Sequence, residues 1–198
     1  MTAACIAFLI SASAIETGPP LPADVQAALG TYRIATGADF IETVRVYAAA
    51  HPDEDCLRGL ITADFNGDGK PDYGIIGVEP NTREFKFLFA VSQPDGSYAF
   101  LERRHYRGAF PQRGGIVYAS MGFKPAGSEQ WADKLYSKLA PNSAERQAYK
   151  NAPALAIWRS VWLDPYGRPD DYEASSLAYC RDVSYFTDGR LKSFMVCQ

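Results

Sequence analysis

Short apolar runs alternate with clusters of Gly, Pro, Asn and Asp along most of this chain, and the period of the runs changes from segment to segment. Residues 57–63 and 73–78 are rich in Ile, Leu, Val and Tyr, which predicts a strand on either side of a polar stretch. Residues 84–92 and 97–103 flank Gln93-Pro94-Asp95-Gly96, where Pro presets φ and Gly supplies a positive φ, so a hairpin is predicted. Residues 116–123 predict another strand. At the C-terminus, 177–187 and 190–198 read as strands around Asp188-Gly189, a two-residue hairpin turn.

Helical spacing occurs in fewer places. Pro22 followed by Asp24 suits the first turn of a short helix through Leu29, with Gly30 ending it. Phe40, Ile41, Val44 and Tyr47 recur at helical spacing over 38–50 and His51-Pro52 closes the run; a strand over 43–47 is the alternative. Trp131, Leu135, Tyr136 and Leu139 share one helical face. Asn142, with Glu145 three residues on, predicts the N-cap of a second short helix to about 151. Residues 154–163 fit helix or strand, and strand is preferred. The sum is an α+β domain: a mostly antiparallel β-sheet, helices on one side and a C-terminal β-hairpin.

The polar stretch inside the first strand pair carries the chemistry. Asp64, Asn66 and Asp68 are alternate residues, Gly67 and Gly69 let the backbone curl, and Asp72 follows. Calcium takes about 6–8 oxygens in irregular geometry, so these four side chains with the Lys70 carbonyl form a candidate calcium site. Residue Ile75 stands where an EF-hand needs its bidentate Glu, which argues against a helix-loop-helix hand. Asp64, Asn66, Asp68, Gly69 and Asp72 match D-x-N-x-D-G-x-x-D, and the stretch resembles the calcium loops of FG-GAP and VCBS repeat proteins. Those families build propellers from several copies, whereas the motif occurs once here. The chain is also similar to small exported bacterial proteins of unassigned function that carry one such loop. With no metal, the same residues would make an Asx-rich turn.

Composition narrows the partners. Apolar residues make up 47% of 198, so the chain has the means to bury a core. Net charge is -3, which gives no general attraction to nucleic acid or to anionic membranes. Residues 1–14 resemble a signal peptide, an apolar run before Ala12-Ser13-Ala14, without a basic residue ahead of it. Residues 15–22 then read as linker and 23–198 as one domain with a helical insert at about 129–151. No other stretch reaches the roughly 18 apolar residues of a membrane span. A periplasmic or secreted location follows.

Export makes disulfides possible. Continuing the hairpin register outward from Thr187 and Arg190 sets Cys180 opposite Cys197, while Cys56 pairing with either is the competing arrangement. Cys5 would leave with the signal.

Catalytic motifs are scarce. His51 and His105 form no zinc pattern, and there is no G-x-S-x-G, Walker or dinucleotide fingerprint. Asp53, Glu54 and Asp55 read as a solvated turn, residues 103–107 as a basic strand end, and Trp131, Trp158 and Trp162 as core more than a sugar platform. Two readings from different classes remain. One is a calcium-stabilised module that binds an envelope protein, in the manner of an inhibitor or immunity protein, through loops 107–115 and 164–173. The other is a hydrolase of cell-wall or polysaccharide material, with Asp170, Asp171 and Glu173 as candidate carboxylates; Cys56 is a weaker candidate nucleophile.

Overall fold

A computed structural model describes residues 20–52, 55–107, 114–132, 139–159 and 180–197. Its class is the expected one, α+β with antiparallel strands and a C-terminal hairpin. The expected single sheet, however, is two.

The first sheet contains β1 (Arg33–Ile34), β2 (Leu60–Ala63), β3 (Asp72–Glu79), β4 (Glu84–Ser92) and β5 (Tyr98–Arg107). Strands β3, β4 and β5 follow one another, and the outer edge of β3 is shared: β2 pairs along Asp72 to Ile75, and β1 along Gly77 and Val78. Every residue of β3 is buried. Both of its faces are covered, which is why its apolar run is nearly continuous. On one face Tyr73 and Ile75 meet Val25 and Leu29 of α1 (Ala23–Leu29). On the other, Ile76 and Val78 join the main core with Phe85, Phe87, Phe89 and Val91 of β4. The β4–β5 register shifts between Phe87 and Leu88, whose partners are Arg104 and Glu102, a bulge that leaves Arg103 extra.

The second sheet is β6 (Ala119–Lys124), β7 (Ala154–Arg159), β8 (Cys180–Thr187) and β9 (Arg190–Cys197), each antiparallel to the next. Its Leu155 and Met121 press on the first sheet at Gly74. A Cβ there would lie 3.0 Å from Leu155 Cδ2 and 3.2 Å from Met121 Sδ, so the missing side chain permits the close approach. Phe65 and Phe89 pack edge-on at 5.0 Å between the sheets, and Phe89 reaches Phe186 at 5.9 Å.

Helices lie on both outer faces rather than on one side. While α1 covers the first sheet, Tyr149 of α3 (Ala144–Asn151) packs on Tyr185 and Phe194 of the second, at 5.5 and 5.0 Å. Gly30, with φ +63°, ends α1 as expected. The helix expected over 38–50 is α2 (Glu42–Ala50). It starts late because Asp39 closes a 3₁₀ turn, Gly37–Asp39, and Phe40 bridges to Val117 in extended form. The cap of α3 is Ser143, one residue beyond the expected Asn142: its hydroxyl accepts from Arg146 N at 3.1 Å, while Asn142 takes φ +61°. Trp131 has φ +72° and stands outside any helix, and residues 133–138 of that predicted segment lie outside the described residues.

Candidate functional site

Pairing of Ala63 with Asp72 closes β2 and β3 around residues 64–71. Gly67 and Gly69 take φ of +81° and +79°, as the tight curl needs. Within it the Asp64 carboxylate accepts from Gly67 N at 2.7 Å, Asp68 N at 3.1 Å and Gly69 N at 2.8 Å. Asn66 Oδ1 accepts from Asp68 N at 3.0 Å, and Asp68 Oδ1 from Lys70 N at 2.9 Å. Side-chain oxygens thus serve the N–H groups that a turn leaves bare.

Asp72 is different in kind. It is fully buried at the start of β3, and its Oδ2 accepts from Phe65 N at 2.7 Å and Asn66 N at 3.2 Å. Its Oδ1 accepts from the backbone N and the hydroxyl of Ser92, at 2.7 and 2.8 Å. Two lone pairs on each oxygen are thereby filled. Asp64, Asn66 and Asp68 stand nearer solvent on the rim of the loop.

Ser92, the last residue of β4, was not apparent from the sequence, which shows it only as the end of an apolar run. Its hydroxyl lies 2.9 Å from Asp68 Oδ2 as well as 2.8 Å from Asp72 Oδ1, and Asn66 Nδ2 donates to the Ser92 carbonyl at 2.9 Å. Lys70 Nζ donates to Gln93 O at 3.0 Å, and Tyr98 OH to Pro71 O at 3.3 Å. The loop is therefore laced to the β4–β5 turn. Asp68 sits below the ordinary carboxylate pKa: desolvation, the largest single influence, pushes it up, and the Lys70 N–H, the Ser92 hydroxyl, Asn66 and the Lys70 charge together outweigh that.

A hydroxyl has one proton, and here two carboxylate oxygens face it. With that proton on Asp72 Oδ1, Asp68 Oδ2 has no donor from Ser92, and together with Asp64 Oδ2 and Asn66 Oδ1 it keeps acceptor capacity for a cation or water. Among the described residues no three His, Cys, Asp or Glu side chains converge as a metal cluster. The donor set suits a hard cation in chemistry, with the Asn66 amide and Lys70 carbonyl oxygens adding to the Asp64 and Asp68 carboxylates.

The other candidates fall elsewhere. Asp170, Asp171, Glu173 and Trp162 lie outside the described residues, as do 1–19, Asp53 and Glu54. Asp55 pairs with Arg58 on the surface. Trp131 and Trp158 are 6% and 2% exposed, packed against Gly122, with the Arg181 guanidinium 4.7 Å over the Trp158 ring; they are core, not a platform. His51 stacks on Tyr47 at 4.0 Å. For 103–107 the backbone belongs to β5, and the side chains are outside the described ones.

Two further buried charges hold the fold. Asp39 accepts from both terminal nitrogens of Arg33, each at 2.7 Å, and from Thr36 N at 2.7 Å. Lys124 is fully buried, and its Nζ donates to Ala152 O at 2.6 Å, Pro125 O at 3.0 Å, Ser128 O at 3.1 Å and Lys150 O at 3.4 Å. An ammonium carries three protons, so these four carbonyls share them. Burial brings the Lys124 pKa down to about 8.

No family model matches this chain, and neither a curated protein nor a solved structure matches it.

Proposed function

We propose that residues 64–72 take a structural calcium ion in an exported domain that acts by binding an envelope protein. The observation that carries the ion is Ser92: one hydroxyl proton stands between Asp68 Oδ2 and Asp72 Oδ1, and a cation relieves the carboxylate left without it. Asp64, Asn66 and Asp68 would hold the ion with their side chains and Lys70 with its carbonyl. Asp72 has every lone pair filled, so its part is to anchor the loop, or to join by giving up a Ser92 bond. Affinity on the order of 10⁻⁴–10⁻³ M fits an extracellular module with one contributing loop.

The ion's contribution is rigidity, since three carboxylates in one turn repel when nothing neutralises them. The binding role is drawn from the sequence, from the Arg, Phe and Tyr residues of 107–115 and 164–173; of these segments 108–113 and 164–173 lie outside the described residues.

Thermal melting in chelator and then in calcium up to millimolar tests the ion. The melting temperature is expected to rise with calcium in the wild type and not in Asp68→Ala. A full rise in Asp68→Ala, or none in the wild type, sinks this reading. Capture from an envelope extract tests the second half, and no partner at micromolar concentration would count against it.

A further inference from the structure

Sheet register places two of the four cysteines together. In the β8–β9 hairpin Thr187 pairs with Arg190, and eight consecutive pairs run without a shift to Cys180 opposite Cys197. The turn that sets this register is well made: Asp188 and Gly189 have φ of +51° and +67°, both positive as a type I′ turn requires. Directly opposed residues of antiparallel strands have Cα atoms about 4.5 or 5.5 Å apart, and both spacings lie in the disulfide range.

The order of the strands sets the competing partner apart from the hairpin. Ser120, Trp158, Arg181 and Val196 form one cross-strand row, and Met121, Ile157, Asp182 and Met195 form the next, on the opposite face. The Ser120 hydroxyl donates to the carbonyl of the buried Cys56, so the backbone of that residue lies beside β6, at the opposite edge of this sheet from β9.

We infer that Cys180 and Cys197 form a disulfide across the open end of the terminal hairpin, fastening β9 to β8. The oxidant is a disulfide such as glutathione disulfide. One cysteine thiolate attacks its S–S bond and expels a thiolate; the second cysteine attacks the mixed disulfide and expels the other. Two electrons and two protons pass to the reagent, which leaves as two thiols. The inference is independent of the calcium reading.

The full chain, incubated with glutathione disulfide, is denatured, alkylated and cut with trypsin without reductant. Cleavage at Arg181, Arg190 and Lys192 separates the two cysteines unless sulfur joins them. The expected product is one joined pair of peptides, lighter by two hydrogens than the reduced pair, with Cys56 alkylated. The oxidised chain should also melt roughly 5–10 °C above the reduced one, a difference kept in Cys56→Ser and lost in Cys180→Ser and Cys197→Ser. A bond from Cys56 to either residue, or alkylation of both Cys180 and Cys197 after oxidation, overturns the inference.

Discussion

Ser92 gives Asp72 two hydrogen bonds to a single oxygen, Oδ1, from its backbone N at 2.7 Å and its hydroxyl at 2.8 Å. One residue ends β4 and the other begins β3, so this contact ties the candidate ion loop to the middle of the first sheet. Asp72→Ala would take the acceptor from the N–H groups of Phe65, Asn66 and Ser92, while the Ser92 hydroxyl keeps Asp68 Oδ2. The expected cost is about 3 kcal/mol, against about 1 kcal/mol for Ser92→Ala, which removes one donor. Urea unfolding midpoints at unchanged slope measure both. A cost for Asp72→Ala no larger than for Ser92→Ala would mean that the carboxylate anchors nothing.

Asp39 predicts acid sensitivity. Burial pushes its pKa up, but the Arg33 guanidinium and the Thr36 N–H and hydroxyl hold it below the ordinary carboxylate value. A carboxylate depressed in the fold contributes stability above its unfolded pKa, about 3.9, and loses that contribution as pH falls through the lower folded value. The stability advantage of the wild type over Asp39→Asn should therefore be constant near neutrality and shrink below roughly pH 4. A constant advantage down to pH 2 would show that the ion pair contributes nothing through charge.

Lys124 predicts the opposite slope. Its pKa, about 8 in the fold because of burial, lies below that of an unfolded lysine. Between these values the unfolded chain binds more protons, so this group makes stability rise with pH from about 8 toward 10. Burial also raises the phenols of Tyr149, whose ring lies 4.6 Å from the ammonium, and of Tyr185, which packs on Tyr149. Melting temperatures of the wild type and Lys124→Met, compared at pH 7.5 and 10, should shift in favour of the wild type at the higher pH. A shift the other way would mean that the carbonyl cage holds the ammonium more strongly than burial opposes it.

Elements with a local cause could be read in the residues alone. Pro22 and Gly30 bracket α1, Asp188-Gly189 sets the terminal hairpin, and β4 has the predicted limits Glu84–Ser92. Each is decided within a few residues, by fixed or positive φ or by a period of two. The loop motif was visible for the same reason, because Asp64, Asn66 and Asp68 act on N–H groups no more than five residues away.

What lay beyond reach depends on partners distant in the chain. Only the β3–β4 register brings Ser92 to Asp72, twenty residues back, and makes Asp72 a buried anchor rather than one more exposed oxygen. Only the stacking of the sheets at Gly74 explains two sheets where one was expected. The Lys124 cage needs carbonyls from the end of α3 and from its C-cap residue Ala152, and Asn142 lost its cap to Ser143 when its backbone turned to positive φ. Sequence by itself determined the strands, the turns and the donors of the loop, since those follow from short-range sterics and hydrogen bonding. Tertiary structure decided which face each strand buries and which charges are satisfied inside, because a buried polar group is stable only where the whole fold delivers its partner.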